Sequence, residues 1–267
     1  MTQTVTSADG TRIAYDVIGA GAPLVLIGGA LCGREGMLPY AEALAGGFAV
    51  VNYDRRGRGA SADTAPYAVR REIEDLAALI AAVGGEAAVY GHSSGAALAL
   101  HAAAAGLPID RLVLHEPPFS DDEPDGEVAA LIADGRLGDA VAAHLARTGM
   151  PAEVVDGMRS GPWWGWMEAN AATIPYDYEV LSARGRGGRA PVEQARDVRV
   201  PTLVLAGGES AAWMIEAGRL VAAAIPDGRQ RIVSGHGHVV PPEILAPIVA
   251  DFLSPLSRAV AGVPTPT

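Results

Sequence analysis

The feature that most constrains this chain is an alternation of short apolar runs with longer stretches of helical spacing. Pro23-Leu24-Val25-Leu26-Ile27, Phe48 to Tyr53, Ala87 to Tyr90, Arg111 to His115 and Thr202-Leu203-Val204-Leu205 are each dominated by apolar side chains and have no regular polar face. A strand without a polar face must be covered on both sides, which is the condition of a parallel sheet. Between such runs, apolar residues return at helical intervals, as with Ile73, Leu76, Ala77 and Ile80 inside Val69 to Val83. This rhythm predicts an α/β fold with a mostly parallel central sheet flanked by helices.

The rhythm opens with a hairpin. Val5 leads to the turn Asp9-Gly10, and Ile13, Tyr15 and Val17 then alternate. From Pro117 to about Arg199 the rhythm stops, and weak helical patterns carry three of the four Trp residues. It resumes at Thr202, with a helix around Trp213 to Ala224, a strand at Gln230 to Val233 and a last helix near Pro242 to Leu253. The expected organisation is a core of residues 1–116 and 200–254, a helical cap insertion of residues 117–199, and a loose tail of residues 255–267.

Composition bounds the function. Hydrophobic residues make up 49% of the 267 positions but aromatic ones only 5%, so the core must rest on aliphatic side chains and close backbone approach. A net charge of −11 offers no basic excess for phosphates, which argues against nucleic acid or an anionic membrane as partner. Cys32 is the single cysteine, so no intrachain disulfide forms. The polar start, Met1 to Gly10, lacks a secretory pattern, and no apolar stretch is long enough to span a bilayer. The expectation is a cytoplasmic protein acting on a small molecule, with its oligomeric state open.

Gly91-His92-Ser93-Ser94-Gly95 is a G-x-S-x-G sequence between a buried strand and the Ala-rich helical stretch Ser94 to Ala105. In that context a sharp turn exposes the serine at a helix N-terminus, where developing negative charge is favoured. The bland alternative is a helix N-cap serine beside packing glycines. A serine hydroxyl needs a base, and the chain has six histidines. His92, His101, His115 and His144 fall inside the motif, a helix, a strand end and the insertion. His236 and His238 follow the last strand in Gly235-His236-Gly237-His238, where this type of fold carries its histidine. His238 is assigned as base, with His236 as competitor. The base needs a carboxylate. Glu116 and Glu209 each follow a strand and precede His238, so chain order leaves both open.

The hairpin, the Gly28-Gly29 turn, Asp54 to Ser61, the motif at Ser93, Gly207 and Gly237-His238 together resemble the α/β-hydrolase superfamily. The resemblance covers nearly the whole chain except the insertion. Asp54-Arg55-Arg56-Gly57-Arg58-Gly59-Ala60-Ser61 is similar to the family's D-x-R-G-x-G-x-S loop, taken as structural. Most members place their acid where this chain has Ser210. Some, such as one group of haloalkane dehalogenases, carry Glu at the end of the preceding strand, and Arg111 to Glu116 resembles that arrangement. The resemblance therefore favours Glu116 over Glu209. It also implies an oxyanion hole from the backbone N–H groups of Ser94 and Ala30, with Gly29 or Leu31 as alternatives to Ala30.

These residues predict a serine hydrolase that cleaves an ester-like bond through an acyl-enzyme, with no metal or organic cofactor. Ser93 excludes dehalogenation and epoxide hydrolysis, which need a carboxylate nucleophile. Acyl transfer, perhydrolysis, lyase or cofactor-free chemistry on the same triad remains an alternative, as does a non-enzymatic ligand-binding protein. Trp163, Trp164 and Trp166 are candidates for a substrate pocket, or for the insertion's own core.

Overall fold

The computed structural model describes residues 1–119 and 126–254, so the expected tail at 255–267 lies outside the described residues. The chain opens with β1 (Gln3–Thr6), β2 (Arg12–Ile18) and β3 (Ala22–Ile27), then α1 (Arg34–Leu44) and β4 (Phe48–Tyr53). It continues through α2 (Val69–Ala82), β5 (Ala87–His92), α3 (Ser94–Ala104) and β6 (Ile109–His115). Six helices follow without a strand among the described residues: α4 (Gly126–Ala133), α5 (Leu137–Arg147), α6 (Ala152–Met158), α7 (Trp164–Asn170), α8 (Ile174–Leu181) and α9 (Pro191–Ala195). The chain then returns to β7 (Thr202–Gly207), α10 (Ala212–Ala224), β8 (Gly228–Val233) and α11 (Pro242–Leu253).

All eight strands form one sheet in the order β1-β2-β4-β3-β5-β6-β7-β8. The β1–β2 and β2–β4 pairs are antiparallel, and every other pair is parallel. The apolar runs behave as their composition demands. In β3, Leu24 and Leu26 join the core under α1 and α11, while Val25 and Ile27 join the core on the opposite face. Successive side chains point to opposite faces, and both faces are covered. Helix α3 is buried along nearly its whole length, which explains why it is apolar all round.

Helix α2 departs from the expected face. Its buried positions are Val69, Glu72, Asp75, Leu76, Leu79 and Ile80, whereas Ile73 and Ala77 are only partly buried. Two carboxylates turn inward because buried arginines meet them. Arg55 pairs with Glu72 at 2.6 Å, and Arg56 pairs with Asp75 at 2.7 Å. A buried charge survives when it is paired and hydrogen-bonded. The helices between β6 and β7 have their own apolar cluster, built on Val128, Val141, Trp164, Ala171 and Ile174, and Leu31 of the sheet unit reaches into it. No helix among the described residues is long and apolar enough to cross a membrane.

Candidate active site

Parallel strands gather their C-terminal ends on one edge, where ligands bind in such sheets. Among the described residues, three non-glycine residues take positive φ, and all three lie just beyond a strand at this edge: Leu31 after β3 (φ 60), Ser93 after β5 (φ 55) and Glu116 after β6 (φ 50). Such conformations cost of order 1–3 kcal/mol each and persist only where the surroundings enforce them. Their convergence marks the edge as a site.

The local sequence explains the strain at Ser93. The chain must reverse from β5 into α3 within one residue, and Ser93 adopts φ 55, ψ −125 to do so. The flanking glycines make the reversal possible. A Cβ on Gly91 would stand 2.4 Å from the Gly95 carbonyl oxygen, and one on Gly95 would stand 2.4 Å from that of Ile27. The Ser93 N–H is held by the His115 carbonyl at 2.9 Å. The Ser93 hydroxyl does not cap α3, so the N-cap alternative fails and the oxygen is available.

His238 lies on the loop after β8. This loop crosses the end of β7 so closely that a Cβ on Gly207 would meet the Gly237 oxygen at 2.2 Å. Its Nδ1 contacts Glu116 Oε2. His92 fixes the loop from below: its Nε2–H donates to the His238 carbonyl at 3.0 Å, and the two rings lie 4.7 Å apart. Because His92 directly precedes Ser93, this contact brings the histidine loop over the serine turn. Burial and the neighbouring His238 push the His92 imidazole down to about 4, so it is a neutral donor at pH 7.

Glu116 is 1% exposed. Its Oε1 accepts the Gly207 N–H at 2.7 Å and the Ser210 hydroxyl at 2.5 Å. Burial alone would raise this carboxyl, but the hydrogen bonds from His238, Ser210 and Gly207 outweigh it and hold Glu116 below the usual carboxylate range. Glu209, the other candidate, is exposed, and its N–H donates to the His236 carbonyl at 2.9 Å. Ser210, where the resemblance implied an acid, supports Glu116 instead.

The Gly28-Gly29 turn runs beside the serine. A Cβ on Gly29 would lie 3.0 Å from Ser93 Cβ and 3.6 Å from its Oγ. The Ala30 and Ser94 N–H groups have no internal acceptor among the described residues. The other sequence candidates lie elsewhere. Trp164 is 6% exposed and fills the insertion's own core, its Nε1–H donating to Glu168. Trp163 and Trp166 are 54% and 46% exposed and pack edge-to-face on each other. His101 and His144 are buried, held by the Val180 carbonyl and the Tyr178 hydroxyl respectively. His115 is also buried, against Tyr90.

Two residues escaped the sequence reading. Asp177 on α8 and Arg58 in the Gly-rich loop form a buried pair at 2.7 Å, each side chain 1% exposed. The only sequence cue was the presence of arginines at 55 and 58, inside a loop read as structural.

The alpha/beta hydrolase family model matches residues 24–246. The chain belongs to this family. A solved alpha/beta hydrolase from Sphaerobacter thermophilus is 46% identical, with 94% of this chain and 100% of that one covered and a TM-score of 0.85. A relative from Azorhizobium caulinodans, provisionally named as the carbamate hydrolase RutD, is 26% identical over 91% of this chain and 96% of its own. The enol-lactonase structure from Burkholderia xenovorans shares the fold at 23% identity and a TM-score of 0.67, covering 94% of this chain and 99% of its own. The hydrolase relatives support hydrolase activity for this family member.

Proposed function

We propose that this hydrolase cleaves an ester-like bond of a small molecule (a carboxylic ester, lactone or thioester) through an acyl-enzyme on Ser93. The observation that carries the reading is the contact of Glu116 with His238 Nδ1, on a loop that His92 ties to the serine turn. A proton on Nδ1, held by the carboxylate, leaves Nε2 unprotonated and able to act as base. His238 takes the Ser93 proton as Oγ attacks the carbonyl carbon. The Ser94 and Ala30 N–H groups receive the oxyanion. His238 then gives the proton to the leaving group, and water, deprotonated by the same histidine, releases the acid. These steps draw on protein groups and water alone.

Residues 117–199 act as the cap. Support comes from Leu31, whose side chain enters the apolar cluster of the insertion, and from Asp177, which touches Ser94 beside the nucleophile. Of the predicted aromatic set, Trp164 serves packing of the insertion, while Trp163 and Trp166 stay exposed and pack on each other. Steady-state hydrolysis of a panel of esters, lactones and thioesters with graded acyl length tests the assignment. Carbamates join the panel because a 26% identical relative carries that name. Turnover of at least one ester-like class that vanishes in Ser93→Ala is the expected result. Equal turnover by Ser93→Ala contradicts it.

A further inference from the structure

The oxyanion donors lie on two segments, the β3–α1 turn and the first residue of α3, and one carboxylate from the insertion reaches the second directly and the first through Arg58. Asp177 Oδ1 accepts the Ser94 hydroxyl at 2.7 Å and Arg55 Nη1 at 2.7 Å. Asp177 Oδ2 accepts Arg58 Nη2 at 2.7 Å. Arg58 then extends the link to the other segment. Its Nη1 donates to the Gly29 carbonyl at 2.6 Å and the Cys32 carbonyl at 3.2 Å, and its Nε donates to Thr173 at 3.0 Å. The Cys32 N–H also donates to the Gly29 oxygen, at 3.3 Å, closing a turn in which Leu31 is held left-handed.

The peptide joining Gly29 to Ala30 is planar, and in a trans peptide the C=O and N–H point in opposite directions. An arginine that anchors the Gly29 oxygen therefore sets the direction of the Ala30 N–H, away from Arg58. That peptide begins at a glycine whose Cβ, were there one, would meet Ser93 Cβ at 3.0 Å. The planar guanidinium suits this task, because it holds two carbonyls, a hydroxyl and a carboxylate in one fixed fork. Its charge is matched by Asp177, so Arg58 acts through geometry more than through its field. Burial alone would raise Asp177, but Arg58 and Arg55 outweigh it and hold the carboxyl at about 2, so it is a carboxylate at neutral pH.

We infer that Arg58 and Asp177 are positioning residues for the oxyanion hole, Arg58 aiming the Ala30 N–H and Asp177 locking Arg58 and Ser94 to the insertion. The inference rests on the serine-hydrolase reading. It makes the seat of the insertion a condition of catalysis at Ser93, beyond its part in enclosing substrate.

The test measures kcat per active site in Arg58→Met, Arg58→Lys and Asp177→Asn, with sites counted by exhaustive fluorophosphonate titration of Ser93. Arg58→Met is expected to lose about 100-fold in kcat per site, the low end of what losing an oxyanion donor costs, with KM changing far less. Arg58→Lys, which keeps the charge but not the fork, falls between it and wild type. Asp177→Asn also loses kcat per site. A purely structural role predicts another pattern: a lower melting temperature and fewer titratable sites, with wild-type kcat at each remaining site. That pattern overturns the inference. Should Arg58→Met not fold, wild-type kcat per site in Arg58→Lys overturns it equally. A wild-type protein that neither labels nor hydrolyses overturns the serine reading beneath, and the inference with it. A wild type that does both separates the two failures.

Discussion

Glu116 and His238 meet at the sheet edge although 122 positions separate them in the chain. The meeting depends on Glu116 leaving β6 in a left-handed conformation, with its N–H on the Leu205 carbonyl at 2.9 Å. One carboxylate thus ties together the ends of β6 and β7 and the histidine loop. Replacing it by an amide leaves one oxygen, which Gly207 and Ser210 hold, and turns an NH2 donor toward His238 Nδ1, so the histidine tautomer is no longer fixed. Glu116→Gln should lower kcat by up to about 10⁴. Glu209→Gln changes an exposed loop charge and should stay close to wild type. Steady-state kinetics on the two purified variants decides between them, and comparable losses would contradict the assignment.

Ser210 makes a finer prediction. Its hydroxyl donates to Glu116, so Ser210→Ala removes one hydrogen bond to a charged group, an effect of about 1.5–3 kcal/mol on the carboxylate. Ser210→Asp places a second carboxylate against the first, and like charges at this distance disfavour joint ionisation. The aspartate variant, although it supplies the acid that the resemblance implied there, should lose more kcat than the alanine variant. The reverse order would show that Glu116 is dispensable once Asp is available.

The strained turn at Ser93 predicts a trade between stability and function. Glycine adopts positive φ without penalty, so Ser93→Gly relieves strain that Ser93→Ala retains. Ser93→Gly should melt higher than Ser93→Ala, by about 1 kcal/mol in stability after the entropy cost of glycine. Both should lose roughly 10³-fold or more in turnover. Thermal melts of the two variants in parallel check the difference, and equal or inverted melting temperatures would speak against strain.

Asp177 gives a pH dependence of known sign. Its folded-state carboxyl is depressed to about 2 from an ordinary 3.8. The stability it contributes is fully present above the ordinary value and is lost as pH falls toward the folded one. His92 adds a slope at higher pH: buried as the neutral base at about 4, it resists a proton that the unfolded chain accepts below 6.5. Asp177→Asn leaves the histidine slope intact and removes the carboxylate one. Denaturant melts from pH 7 to 3 should therefore show wild type losing more stability than Asp177→Asn below pH 4.5. Parallel curves there would contradict a depressed Asp177 carboxyl.

Much of the scaffold was legible in the sequence because burial on both faces leaves so plain a mark. The strand Phe48–Tyr53 and the helix Pro242–Leu253 have the bounds that their apolar runs suggest. The serine turn was legible because Gly91 and Gly95 are the only residue type that tolerates such close backbone approach. What escaped depends on contacts between distant segments. Nothing near Glu72 or Asp75 announces that they face inward, since their arginines lie on another loop. Nothing near Asp177 announces Arg58, 119 positions away. Trp164 packs inside the insertion because its indole N–H finds Glu168 one turn on, a pairing that composition alone does not rank above pocket lining. Chain order left Glu116 and Glu209 open for the same reason, since both follow strands, and only the family resemblance favoured Glu116.

Ser93 is proposed as an activated nucleophile. Mass spectrometry of the intact protein and its peptides after reaction with a fluorophosphonate tests it most directly. An activated Ser93 gives one adduct per chain, on the peptide containing Ser93, absent in Ser93→Ala and formed far more slowly in His238→Ala. A protein that stays unlabelled, or one whose labelling persists in Ser93→Ala, would contradict it.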